Sequence, residues 1–598
     1  MILQKGLMRL KAITLANSKN SKRVNQQLYT LLFQEDLYIL AYENIKGNKG
    51  ALTPAVGKER LQGFSLQRIH KIIDQMKTGT WKPKSSRRIY IPKPGKTVLR
   101  PLGIQGPDDK LVQEVVRLIL NAIYNEGFSK NSYGFRPNLG CHNALKYVNE
   151  NFDTISLVLE GDISTFFDSI HHHKLLEILK LRISDQRFLN LIHQMLKVGY
   201  WEKTEGHQKS IVGTPQGSII SPILSNIYLN ELDQWVENWI EIKITQKQTG
   251  QENLLRTPEQ NSLRTQVLSN ERALNKQLRM KSGIGQRNDI SPKESCTWEK
   301  LNKKDPALKK FKKEYRKIKF KQLSLPLYLE SSRHKRVRYV RYADDFIVGF
   351  VYCTKEMVEK FKADLSVFLL NHLKLILSQE KSKITNIYKE PAFFLGYNIT
   401  ISSSIKITTV RVKGKKPFQK KTPGHFIALT MPIDRVINKL NIKGYCTKLG
   451  FPIATKRLTP YSDLDIVNHY SAVHTGITNY YSGVKSNKSS KAFNRIYYIL
   501  RFSCAKTLAT KHKTSISKIF KKHGPTLKIQ ETKIYETIIL NKVVTKESIS
   551  TAELIDIKPD EQIFSTGKTF QDPFEKHLGK YTRSRLSDHK HQNKQKLQ

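Results

Sequence analysis

A chain of 598 residues in which 102 Lys and Arg face 51 Asp and Glu carries a formal charge of +51. Such an excess repels itself unless a polyanion is the usual partner, and nucleic acid is the partner it points to. With 39% hydrophobic and 9% aromatic residues most of the chain should fold around more than one core, and its five cysteines stand singly, which excludes a zinc module or a disulfide framework.

Residues 1–85 read as a basic helical extension. The part through Gln27 is poor in acids and suits either a transit peptide or a nucleic-acid-binding arm. FQEDLYILAYENI and SLQRIHKIIDQM then space apolar residues three or four apart, as amphipathic helices do. SRRIYIPKPGKTVLRPLGI (86–104) changes period: Ile89 and Ile91 alternate, Pro and Gly make a turn, and a hairpin with a basic rim is expected. LVQEVVRLILNAIY (111–124) reads as a helix, TISLVLEGDI (154–163) as a buried strand, and LLEILKLRI and FLNLIHQMLKVGY as further helices. Helices and strands interleave irregularly, so the expected class is α+β rather than a doubly wound sheet.

Between about 241 and 336 the chain turns polar and turn-rich, as in TQKQTGQENLLRTPEQNSLRTQ, and reads as an insertion. Its last part, KKDPALKKFKKEYRKIKFKQL (303–323), is a very basic helical stretch suited to a solvated face or to RNA. Beyond Thr400 the chain is Lys-rich and is read as helical, with the Tyr-rich ITNYYSG at 477–483. After about Lys533 apolar density falls. No run of about 18 apolar residues predicts a membrane span, so no membrane partner is expected.

The acids carry the chemistry. RVRYVRY and FIVGFV flank Ala343-Asp344-Asp345, two strand-like runs joined by a very short turn, which predicts a tight hairpin with the acids at its tip. A second acid, Asp162, closes the strand LVLEGD. If the two strands are neighbours in one sheet, Asp162 and Asp344 face each other. Their repulsion then calls for a cation, and Mg²⁺ is typically held by one or two carboxylates plus substrate phosphates. His171, His172 and His173 are consecutive and do not share one face, so no metal site is expected there.

YADD (342–345) with GDISTFFD (161–168) resembles the reverse transcriptases, and the remaining blocks resemble the group II intron-encoded proteins, which join reverse transcriptase and maturase activity. RRIYIPKPGKTVLRPLGI and NSYGFRPNLGCHNAL look like the family's fingers blocks, and GTPQGSIISPILSNIYLNELD like the block before the catalytic hairpin. LSQEKSKIT and FFLGYNI look like the two palm blocks after it, while ITNYYSG and SCAKTLATKHKTSISKIFKKHG are similar to the maturase X region. The resemblance covers roughly residues 30 to 525 and implies a right-hand polymerase. Fingers and palm would span 86–400, a helical thumb and X domain 401–530, and a DNA-binding remnant or tail 531–598.

The resemblance also implies roles. Asp162, Asp344 and the Ile163 carbonyl would hold two Mg²⁺ ions, with Asp345 as the third acid of the catalytic set. Lys93 and Arg100 would hold the incoming triphosphate, with Arg87 and Arg88 as further candidates. Phe167 would exclude a ribose 2′-OH, Gln216 and Gly217 would lie beneath the nascent base pair, and Lys381 would approach the phosphates. Tyr480, Tyr481, Lys506 and Lys511 are candidate RNA contacts, the tyrosines serving equally well as core. The partners implied are a group II intron RNA, an RNA template, a DNA primer and dNTPs. Composition and the mitochondrial-like look of KKDPALKKFKKEYRKIKF point to an organelle, a mitochondrion in preference to a chloroplast, with a bacterial cytoplasm as the alternative.

Three departures from the family pattern stand out. LGIQGPDDK replaces the LGIP expected in the fingers, Ser164 stands where Lys is usual, and the C-terminus carries no paired Cys of an HNH-type endonuclease. The rival readings are an RNA-splicing chaperone that keeps the polymerase fold without the activity, and a reverse transcriptase without maturase function.

Overall fold

Helices and strands are set by local chemistry that is easy to trace. In Leu66–Thr78 the Ser65 hydroxyl accepts the Arg68 N–H at the start, and Gly79 at φ +74° ends the helix. Ile69, Ile72, Ile73 and Met76 supply its buried face. The computed structural model describes residues 5–554 apart from 49, 51–52, 58–59, 62–63, 93–98, 203–205, 209–211, 246–257, 283–312, 315–316, 319, 322–334, 411–417, 485–486 and 540–541. The chain divides into two units, one made of residues 1–238 and 337–598, the other of 239–336.

The fold is α+β, with four sheets among the described residues of the first unit. β1 (Ser86–Pro92) and β2 (Leu99–Ile104) form the expected hairpin, from Arg87↔Ile104 to Pro92↔Leu99. β4 (Tyr200–Glu202) and β5 (Gly206–Gln208) extend it in the order β2-β1-β4-β5. The central sheet runs β6-β7-β3-β8, from Arg336–Tyr342, Asp345–Val351, Leu157–Gly161 and Lys383–Asn386. After Asp345 every residue of β7 is buried, because the sheet is covered on both faces. Phe350 packs edge-on to Phe361 of the helix Lys355–Leu373 on one side. Val158, Ile347 and Val351 belong to a core that continues through Tyr397 and Tyr470 to Leu554.

Two stretches differ from expectation. The chain beyond Thr400 is not helical at first: β9 (Ala392–Phe394), β10 (Tyr397–Val410) and β11 (Phe418–Thr430) form a sheet in which Asn398 pairs with Thr430 and Val410 with Phe418. The β-branched run Ile405, Ile407, Thr408, Thr409, Val410 favours a strand, and Lys content said nothing about that period. Helices resume at Ile433–Ile442, Asp463–Tyr480, Asn487–Lys511 and Ile516–His523. They are followed by a further hairpin of β12 (Ile529–Ile539) and β13 (Lys542–Ala552). In the second unit, Pro258–Ser282 is a 25-residue helix where an irregular insertion was expected. Pro at its first position suits a helix start, and the many polar residues between Leu263, Val267, Leu274 and Leu278 concealed the period. No helix among the described residues is long and apolar enough to cross a membrane.

Candidate active site

The connection between β6 and β7 is two residues, Ala343 and Asp344. Ala343 sits at φ +57°, a left-handed conformation that Gly would accept at lower cost. β3 pairs antiparallel with β7, Leu157 opposite Phe350 and Gly161 opposite Phe346. Asp162 follows directly on Gly161, and its charge acts on both Asp344 and Asp345 across the turn. Gly161 is required here, since a Cβ would come within 2.1 Å of the Phe346 ring.

Three carboxylates therefore meet at one end of the central sheet. Burial raises the Asp344 carboxyl, with repulsion from Asp162 adding to it and the charges of Lys381 and Arg100 partly offsetting it. Asp345 is raised to about 7, first by loss of water and then by repulsion from Asp344 and Asp162. It keeps an exposed flank from which a cation could reach it. Lys381 reaches Asp162, with Nζ 2.5 Å from Oδ2. So a basic side chain answers part of the negative charge, and the remainder stays uncompensated.

That remainder has a measurable consequence. A carboxyl raised above its unfolded value stabilises the fold fully below about pH 3.9, and the contribution is lost as pH rises through the folded value. In the absence of divalent cations, the melting temperature is expected to fall as pH rises towards and through about 7, the value of Asp345. Asp345→Asn should flatten that slope, and an unchanged slope in this variant would show that the charge cluster does not act as described.

The surrounding blocks converge on the same place. Ile163 bridges to Leu377 through the Ser164 N–H to the Ile376 carbonyl and the Ser378 N–H to the Asp162 carbonyl, so the Ile163 carbonyl takes no part in the bridge. Half-buried Phe167 lies against Phe166 and Phe135, with ring centroids 5.3 and 6.4 Å away. The loop 213–219 is tied to both sides. Thr214 donates its N–H to the Phe167 carbonyl at 2.7 Å, and Gly103 donates its own to the Gln216 carbonyl at 2.7 Å. The Gln216 amide lies 3.4 Å from Asp168. Gly217, at φ +101°, approaches so closely that a Cβ would lie 2.9 Å from the Gly103 carbonyl.

Arg100, exposed on β2 opposite Ile91, is close enough for its charge to act on Asp344. Lys93 lies outside the described residues. Arg87 pairs with Ile104 in the hairpin, and Arg88 stacks over Tyr200, 3.5 Å from the ring centroid. Of the histidine run, His171 caps a helix by accepting the Lys174 N–H, and buried His172 donates Nε2–H to the Gly213 carbonyl at 2.6 Å. His173 faces His193, ring centroids 6.1 Å apart.

The four candidate RNA contacts lie elsewhere in the fold and make internal bonds. Tyr480 donates its hydroxyl to the Leu395 carbonyl and Tyr481 to the Gly396 carbonyl, at 3.0 and 3.2 Å. The Tyr480 carbonyl accepts from His142 Nε2 at 2.7 Å and from the Tyr397 hydroxyl. Tyr481 is buried, so its ring offers no face for a base to stack on. The core alternative holds for it. Lys506 donates to the Pro452 carbonyl, and Lys511 to Asp463 and the Tyr461 carbonyl.

Sequence reasoning passed over Arg341, Asp233, Asn226 and Gly134. Arg341 and Asp233 form a fully buried ion pair, Nη2 to Oδ2 2.6 Å. A Cβ on Gly134 would lie 2.3 Å from the Ala343 nitrogen. A signal existed for Arg341: by strand alternation it falls on the same face as Val337 and Tyr339, both buried.

Hard oxygen donors converging with unbalanced negative charge suit a divalent cation such as Mg²⁺. Among the described residues, no group of three or more His, Cys, Asp and Glu side chains could hold a metal by itself. Mg²⁺ sites of this kind are completed by substrate phosphates, so the donors present fit it.

Comparison with known proteins gives two family matches: reverse transcriptase (RNA-dependent DNA polymerase) over residues 91–248 and type II intron maturase over residues 425–578. The chain is 36% identical over 515 residues to the group II intron-encoded protein LtrA of Lactococcus lactis subsp. cremoris, covering 85% of this chain and 78% of that one. It is 33% identical to the putative COX1/OXI3 intron 1 protein of Saccharomyces cerevisiae and 34% identical to an uncharacterized 91 kDa protein in the cob intron of Schizosaccharomyces pombe. Each match covers 86% of this chain but only 57% and 58% of the relatives' own length.

Proposed function

This chain belongs to the group II intron-encoded proteins, and on that premise we propose that it couples RNA-directed DNA synthesis at Asp162, Asp344 and Asp345 to the splicing of a group II intron RNA. The observation that carries the polymerase half is the meeting of these three carboxylates at one end of the β3–β7 pair. The type II intron maturase match over 425–578 supports the splicing half.

In this reading the polymerase is a right hand. The β1–β2 hairpin belongs to the fingers, the central sheet is the palm, and the helices from Ile433 form the thumb and X domain. A primer 3′-OH attacks the α-phosphate of a dNTP, forming the new P–O bond as the bond to pyrophosphate breaks. Asp162, Asp344 and the Ile163 carbonyl would hold Mg²⁺, which would supply charge stabilisation to the transferring phosphoryl group. Lys381, paired with Asp162, holds that carboxylate in place at the end of β3. Arg100 and Lys93 grip the triphosphate, Arg through a bidentate fork and Lys as a point charge. Gln216 and Gly217, tied to β2 through Gly103, form the floor under the new base pair.

Phe167 stands beside the sugar, braced by Phe166 and Phe135. Phe167→Ala should raise ribonucleotide incorporation by roughly ten- to a hundredfold relative to dNTP use, the scale of one lost steric contact. Single-nucleotide insertion kinetics measure the ratio, and an unchanged ratio removes Phe167 from this role.

RNA-templated primer extension tests the polymerase half, and splicing of a group II intron precursor at low salt tests the other. A purified chain that supports splicing but never extends a primer is the chaperone of the rival reading. The relatives named for the COX1 and cob introns support a mitochondrial setting, and the lactococcal relative fits a bacterial one.

A further inference from the structure

We propose that the buried Arg341–Asp233 pair is a positioning device that fixes the turn carrying Asp344 and Asp345. The guanidinium sits directly behind the turn, and each of its five N–H donors has an acceptor. Nε and Nη2 clasp Asp233 at 2.7 and 2.6 Å. Nη2 also reaches the Ser132 hydroxyl at 2.7 Å, and Nη1 the Asn226 side-chain oxygen at 3.2 Å. The last donor on Nη1 goes to the Ala343 carbonyl at 2.9 Å. That bond fixes the peptide plane between Ala343 and Asp344, next to a residue held at φ +57°.

The network is closed on every side. The Tyr339 hydroxyl donates to Asp233 at 2.7 Å, and the Asn226 amide donates to the Gly134 carbonyl at 2.7 Å. Gly134 in turn lies against the Ala343 backbone. The Arg341 N–H donates to the Asn131 carbonyl and its own carbonyl accepts the Tyr133 N–H, at 2.8 and 2.9 Å. Stability alone does not explain such an arrangement, since a buried ion pair often gives way to apolar residues at no loss. What apolar residues cannot do is hold the Ala343 carbonyl. A strained turn whose carboxylates must be placed to within a fraction of an ångström needs that hold.

The inference rests on assigning the chemistry to these carboxylates, and the test separates the two. Three variants are compared with wild type: Arg341→Lys, Asn226→Ala, and the apolar double Arg341→Met with Asp233→Leu. In each variant that folds, kcat for primer extension should fall at least about tenfold, while dNTP KM and primer–template Kd stay within about twofold. Amide exchange of the peptide containing 343–346 should quicken by at least about tenfold, with exchange in the helix Asp463–Tyr480 unchanged. Asn226→Ala keeps the ion pair for folding but strips Nη1 of its second acceptor and Gly134 of its donor, freeing the guanidinium to swing off the Ala343 carbonyl, and it decides the matter if the other two do not fold. Wild-type exchange at the turn, or kcat within twofold in a folded variant, overturns the proposal. If the turn loosens as described but Asp344→Ala extends primers like wild type, the positioning stands and the catalytic assignment fails.

Discussion

Asp344→Ala is expected to lower RNA-templated primer extension by at least about a thousandfold while leaving the fold intact. Charge stabilisation by carboxylate-held cations contributes several kcal/mol to phosphoryl transfer, and each decade of rate corresponds to about 1.4 kcal/mol. Stability should move little or rise, because burial and repulsion from Asp162 already disfavour the ionised Asp344 side chain. An enzyme site that works against its own fold is released by such a substitution. Splicing assistance should persist in the variant, since it does not draw on the carboxylates. Extension at more than a tenth of the wild-type rate would falsify the assignment of Asp344. Loss of splicing together with extension, in a variant that melts normally, would tie both activities to one site.

Gly134→Ala should be nearly as damaging to the chemistry, though its residue touches no substrate in this reading. The added methyl would stand 2.3 Å from the Ala343 nitrogen and 3.0 Å from its Cα, both backbone atoms that no rotamer change can move aside. Either 131–134 or the turn must shift. Overpacking of this kind costs about 1–3 kcal/mol in stability. A displacement approaching 1 Å at the reacting groups costs about a hundredfold in rate. Single-turnover extension and a thermal melt, run beside Gly47→Ala as a control with open space around its Cβ, measure both. Activity within a few fold of wild type in Gly134→Ala would mean that the turn tolerates displacement.

These two substitutions show where sequence reading ends. Asp344 is visible as an acid between apolar runs, and the two-residue connection follows from their spacing. Gly134 sits in a block that resembles the family's fingers, yet its contact lies more than 200 residues away along the chain. No local pattern records such an approach. The same holds for Lys381, read as a phosphate contact and found paired with Asp162, 219 residues away. Tyr480 and Tyr481 looked equally suited to RNA and to core. Their hydroxyls end on the carbonyls of Leu395 and Gly396, in a turn that the sequence placed in a different block. The long β10–β11 hairpin was missed because charge was read ahead of the alternation of β-branched residues.

What the sequence determined by itself was whatever repeats over a few residues or stands in a fixed motif. That covers the basic character, the α+β class, the hairpins at 86–104 and 336–351, the acids and the family to which they belong. The tertiary structure alone decided that Asp162 and the Asp344–Asp345 turn share one end of the sheet, because cross-strand register depends on how β3 and β7 slide against each other. It also decided that Arg341 is an interior residue. A guanidinium is tolerated there only when a partner such as Asp233, 108 residues distant, arrives to satisfy it, and that meeting is a property of packing.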